Sequence, residues 1–155
     1  MENLELKVET GLKRIKANEY GDVILINVSD ASVFERFAKV YDNVMHVSDE
    51  FKKDIEQHEK QFGEDNTSRE AVVSISKVNV KYIGRCIEEL ETAFGKDSIY
   101  KAFRESYDNI PDFVPDESLL LEFMNGMVPI MEKLFNEKIN KDKSRYSVGF
   151  KGKRK

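Results

Sequence analysis

Between Phe34 and Phe62 a single row of residues, Phe34, Phe37, Tyr41, Val44, Ser48, Phe51, Ile55, His58 and Phe62, recurs at alternating spacings of three and four. A chain turning once every 3.6 residues brings such a row onto one face of a helix. A row that keeps this repeat over about eight turns requires another helix along its length. Ser29 and Asp30 supply capping side chains at its start, and Gly63 marks its stop. The partner follows at once. Thr67-Ser-Arg-Glu70 has the spacing of a capping box, and Val72, Ile75, Asn79, Tyr82, Cys86 and Leu90 then share one side of a helix that ends at Phe94-Gly95. Two long helices joined by so short a link form an antiparallel hairpin.

The flanks add smaller elements. Leu4, Leu6 and Val8 alternate with Glu5, Lys7 and Glu9, and Val23 to Val28 is a β-branched run; Asn18-Glu-Tyr-Gly-Asp22 between them supplies a turn with Gly21 at its tip. These predict a β-hairpin. A lone hairpin is marginal in water, so it must pack on a helix or pair with another strand, including one from a second subunit. A short helix is expected from Asp97 to Glu105 with Ile99, Tyr100 and Phe103 inward, then a loop from Tyr107 to Asp116 enforced by Pro111 and Pro115. Asp116 caps a final helix whose apolar face holds Leu119, Leu120, Phe123, Met127, Ile130, Met131 and Leu134, with a bend expected from Gly126 and Pro129. The expected fold class is therefore α+β and mostly α: an N-terminal hairpin, a long helical hairpin, two further helices and a basic, flexible C-terminal tail.

Charge divides the chain more sharply than its net value of −4 suggests. Residues 138–155 hold eight Lys or Arg against Asp142 alone, whereas residues 1–137 hold 17 bases against 28 acids. One domain over 1–137 and a disordered basic tail over 138–155 are the expected organisation. The single cysteine, Cys86, excludes an internal disulfide and fits a reducing compartment. No run approaches the roughly 20 apolar residues of a membrane span, and no secretory leader is evident, so a cytoplasmic location is expected and no membrane partner.

Few residues stand in patterns that carry chemistry. Asp42 and His46, and Asp54 and His58, each stand one helical turn apart, but two half-sites do not make a metal centre. No Ser or Cys sits in a nucleophile elbow and no Gly-rich phosphate loop occurs. The expectation is a protein without catalytic residues, metal or cofactor that works by binding other chains. Phe123, Met127 and Met131 are the candidate partner anchors, because thioethers and aromatics on one helix face accept varied partner helices; the same stripe would equally fill a core. The competing expectation is a small nucleic-acid-associated or regulatory protein acting through its tail, where Arg145, Lys151, Lys153, Arg154 and Lys155 interleave with Tyr146 and Phe150. Self-association is also expected, since the Phe34–Phe62 row is longer than its partner helix can cover.

Two stretches resemble the tail assembly chaperones that long-tailed phages and prophages encode upstream of the tape-measure protein. One is Ile15 to Phe37, a strand, turn, strand and a helix entry with Asp30, Phe34, Arg36 and Phe37 in the spacing D-x-x-x-F-x-R-F. The other runs from Glu89 through Phe94-Gly95 to Phe103 and, past the Pro-containing loop, resumes from Leu120 to Ile130 with Phe123 and Pro129. The residues quoted make up about a third of the chain. The resemblance implies a non-enzymatic factor of the bacterial host cytosol that binds the tape-measure protein and helps bring in tail-tube subunits.

Overall fold

The computed structural model describes the backbone of residues 2–153 and the side chains of residues 2–143. Strands β1 (Leu12–Lys16) and β2 (Val23–Asn27) form an antiparallel hairpin, followed by helices α1 (Val33–Glu50), α2 (Lys52–Phe62), α3 (Arg69–Phe94), α4 (Ser98–Ala102), α5 (Arg104–Asn109) and α6 (Glu117–Lys153). The α+β, mostly helical class with an N-terminal hairpin is thus the observed architecture.

The hairpin's first strand is not the one expected. Its turn is at Asn18–Asp22, where the Asn18 side chain accepts hydrogen bonds from the Tyr20 and Asp22 amides and Gly21 takes φ +95°. A turn there sets the register outward from the Ala17–Asp22 bond, pairing Lys16 with Val23, Ile15 with Ile24 and Leu12 with Asn27. Residues 4–8 alternate cleanly but lie too far along the chain to meet β2, and they have no regular structure. One face of the sheet, carrying Ile15, Ile24 and Ile26, packs on the helices; Leu12 and Leu25 lie on the other and are exposed. Arg104 latches the turn to α5, pairing with Asp22 at 2.8 Å and Asp108 at 3.0 Å while its guanidinium covers the Tyr20 ring.

The long helical row is broken at Phe51 (φ −108°, ψ 5°), whose buried ring meets Tyr82 edge-on. The buried face of α1 is Val33, Val40 and Val47, with Phe37 and Val44 of the expected row half-buried beside them, so that Tyr41 points to solvent. Phe34 turns aside to stack on Phe135 of α6. At the start of α1, Asp30 organises the chain: its carboxylate accepts from the Ser32 amide and hydroxyl and pairs with Arg36 at 2.6 Å. Helix α3 is capped by Ser68, which accepts from the Ala71 amide, rather than by Thr67. It ends at Gly95 as expected.

The expected third helix is two short ones divided at Phe103, and α5 takes in Tyr107–Asn109 from the segment expected to be loop. Asp116 caps α6 through the Leu119 amide. Helix α6 continues through Gly126 and Pro129 and across residue 138, where the tail was expected to begin; Lys138 pairs with Asp142 at 3.6 Å. The side chains of the tail residues Arg145, Lys151 and Lys153, and all of Arg154 and Lys155, lie outside the described residues.

The core gathers where the C-terminal half of α3 meets α1, α4, β2 and the first half of α6. Ile83, Cys86, Leu90, Phe94, Ile99, Leu120, Phe123, Met127 and Met131 are all buried there. Phe94 meets both Phe37 and Phe123 edge-on, at 6.1 and 5.3 Å between ring centres.

Candidate protein-binding site

The three expected partner anchors sit inside this core. Phe123 is 7% exposed, Met127 4% and Met131 0%, so none of them presents a surface to another chain, and their expected role is corrected to packing. The physical reason is that the apolar face of α6 joins the cluster shared by α1 and α3, with Phe135 on Phe34 and Phe123 on Phe94, and flexible methionines fill the space beside the aromatic rings.

Apolar surface is left uncovered at the opposite end of the molecule. Helix α3 is 26 residues long, yet of its first half only Ala71 is fully buried. Val72, Val73, Ile75 and Val80 remain 40–49% exposed; Ile75 shares a groove with Ile55 of α2, which is 39% exposed, whereas Val72, Val73 and Val80 lie together on another face of α3. Helix α2 with the first half of α3 therefore forms an arm that extends beyond the main core and keeps an apolar stripe in water. A groove of about 340 Å³ runs along it, lined by Phe51, Ile55, Ile75, Val78 and Tyr82, with Glu117 at the rim. Burial, and then its neighbours Cys86 and Glu117, pushes the Tyr82 phenol up to about 12.

Charge on the arm is balanced. Between residues 52 and 81 stand Lys52, Lys53, Lys60, Arg69, Lys77 and Lys81 against Asp54, Glu56, Glu59, Glu64, Asp65 and Glu70. The rest of residues 1–137 carries the acidic excess. An apolar groove with mixed-charge flanks suits an amphipathic helix better than an anion or a nucleic acid.

The polar groups of the arm hold it together. His58 shares a hydrogen bond with Ser74 Oγ at 2.8 Å and stacks on Phe62, tying α2 to α3; His46 donates from Nδ1 to the Asp42 carbonyl at 2.7 Å. Among the described residues neither imidazole is hydrogen-bonded to a carboxylate, and no three His, Cys, Asp or Glu side chains converge as metal ligands. Arg85 closes the base of the arm by pairing with Glu50 across the helices and with Glu88 and Glu89 along its own, which raises its pKa further. Cys86 is buried, and burial pushes its thiol up, the opposite of what a reactive thiolate needs.

The expected rows contained this groove without identifying it. Ile55 belongs to the first row and Ile75 and Tyr82 to the second, the two rows being expected to face each other. The missing information was tertiary: α6 starts at Glu117 beside Tyr82 and leaves the earlier turns of α3 with α2 alone. Among the described residues no helix is long and apolar enough to cross a membrane. Compared with protein-family models, with curated proteins and with solved structures, the chain finds no match.

Proposed function

We propose that this protein is a non-catalytic tail assembly chaperone, acting in the host cytosol, that holds an amphipathic helical segment of the tape-measure protein in the α2–α3 groove and helps bring in tail-tube subunits. The observation that carries the binding mode is the apolar groove in which the half-exposed Ile55 and Ile75 face each other beside Phe51 and Tyr82, on an arm whose charges cancel. The resemblance of residues 15–37, 89–103 and 120–130 to the chaperone family supplies the identity of the partner. A tape-measure chain is long and helical, and its apolar face needs cover until the tail tube surrounds it. A groove offering a few half-exposed aliphatic side chains binds such a face firmly enough to prevent aggregation and loosely enough to release it, because the area at stake is small.

Co-expression with the tape-measure protein tests this. The wild-type chain is expected to keep that protein soluble and to co-purify with it, and Ile55→Lys/Ile75→Lys to lose the complex while its helical content and thermal unfolding stay within about 0.5 kcal/mol of wild type, as for exposed sites. Met127→Lys, by contrast, is expected to unfold the chain. Retained binding by Ile55→Lys/Ile75→Lys removes the groove from the mechanism; no complex with the wild-type chain removes the chaperone reading.

A further inference from the structure

The hairpin presents a second surface that the core does not use. Among the described residues β1 pairs with β2 alone, so its second edge is open. The hydrogen bonds from Ala17 N to Asp22 O and from Val28 N to Gly11 O fix the alternation of the ladder. Gly11, Lys13, Ile15 and Ala17 bond inward to β2, and Leu12, Arg14 and Lys16 turn their N–H and C=O groups outward. This is a template for one more strand. Its side chains are basic: Lys13, Arg14 and Lys16 in five residues. Two such edges repel each other, so the edge is protected against pairing with its own likeness but not against an acidic strand.

The same chain carries that strand. Residues 3–9 alternate Leu4, Leu6 and Val8 with Glu5, Lys7 and Glu9, the pattern of a half-buried strand, yet here they pair with nothing and expose Leu4 by 92%, Leu6 by 88% and Val8 by 64%. They do not turn back onto their own β1. The Gly11 carbonyl is already held by Val28, and Glu9 faces Lys141 of α6 at 3.7 Å, which leads residues 2–8 away from the edge.

We propose that residues 3–9 of one copy add as a third strand to the β1 edge of a second copy, so that the exposed leucines of each chain are covered by its partner's hairpin. With Glu5 on the face of Arg14 and Lys16, opposite charges lie side by side, while Lys7 on that face is long enough to reach solvent and Glu9 stays with Lys141 of its own chain; Leu4, Leu6 and Val8 continue the face of Ile15 that packs on the helices. The pairing stands independently of what the arm binds.

The test uses the full chain. Sedimentation is expected to show a dimer for wild type at high micromolar concentration, and a monomer of unchanged helicity for Leu4→Asp/Leu6→Asp. Glu5→Lys is expected to weaken the dimer about tenfold, with Arg14→Glu in the same chain restoring it. Two singly substituted proteins, Lys7→Cys and Arg14→Cys, both also carrying Cys86→Ala, are then mixed and treated with a short bismaleimide. A crosslinked heterodimer is the expected product. A monomeric wild type, a dimer indifferent to the leucine substitutions, or crosslinking only when both cysteines lie in one chain would each overturn the proposal, the last by showing that the segment folds onto its own hairpin.

Discussion

At the scale of single residues, environment decides what a side chain type means. Three candidate anchors, Phe123, Met127 and Met131, and three groove residues, Ile55, Ile75 and Tyr82, look alike in the sequence, since both sets are apolar side chains at helical spacing. Only the position of a third helix separates them. Tyr82 gives this difference a titratable readout. Its phenol is raised above the ordinary 10.0 because burial penalises the phenolate, so the folded chain favours the neutral form. The stabilisation this brings is complete below pH 10 and is lost as pH rises through about 12. Absorbance of the phenolate is expected to place Tyr82 near 12, identified as the band that Tyr82→Phe removes, and Tyr82→Phe is expected to flatten the alkaline loss of stability. Ordinary titration near pH 10 would show that water fills the groove around the ring. At the acidic end, Asp30 is held at about 2 by Arg36 and Ser32, so its contribution to the α1 start is lost only as pH falls from about 4 toward 2.

Among elements, the sequence was most informative where a local signal and a tertiary need coincided. The turn at Asn18–Asp22, the C-terminal end of α3 and the Asp116 cap of α6 all depend on residues within one turn, and all stand where their side chains indicated. The first strand did not, because Leu12-Lys-Arg-Ile-Lys16 has a single inward apolar residue and a weaker pattern than Leu4 to Val8; the turn, not the pattern, chose the register. The break at Phe51 was likewise hidden, as an apolar residue in step with its row gives no sign of leaving the helix. Gly11 marks the true start of the hairpin. It takes φ +73°, and a methyl group there would lie 2.9 Å from Ser29 Cβ. Gly11→Ala is therefore expected to cost about 1–3 kcal/mol in thermal unfolding, through positive φ and the contact together, whereas Gly21→Ala meets no neighbour and costs only the first part. Equal losses at the two sites would place the strain in φ alone.

For the whole molecule the arrangement is of one shared core with two unsatisfied surfaces, an apolar groove on the α2–α3 arm and a basic strand edge with its unpaired acidic counterpart. Both were present in the sequence as patterns without addresses: the overlong Phe34–Phe62 row and the alternation at residues 4–8. Each pattern required a partner, and neither could say whether the partner lay in the same chain. On the proposed reading, copies join at the hairpin and a guest helix is held on the arm.

Amide hydrogen exchange of the full chain, with and without an amphipathic helical peptide from the tape-measure protein, tests the central claim most directly. Protection confined to residues 52–62 and 69–82, with residues 117–134 unchanged, is the predicted result. Protection centred on Phe123, Met127 and Met131 with the arm unaffected would contradict it, by showing that the guest enters the core and not the groove.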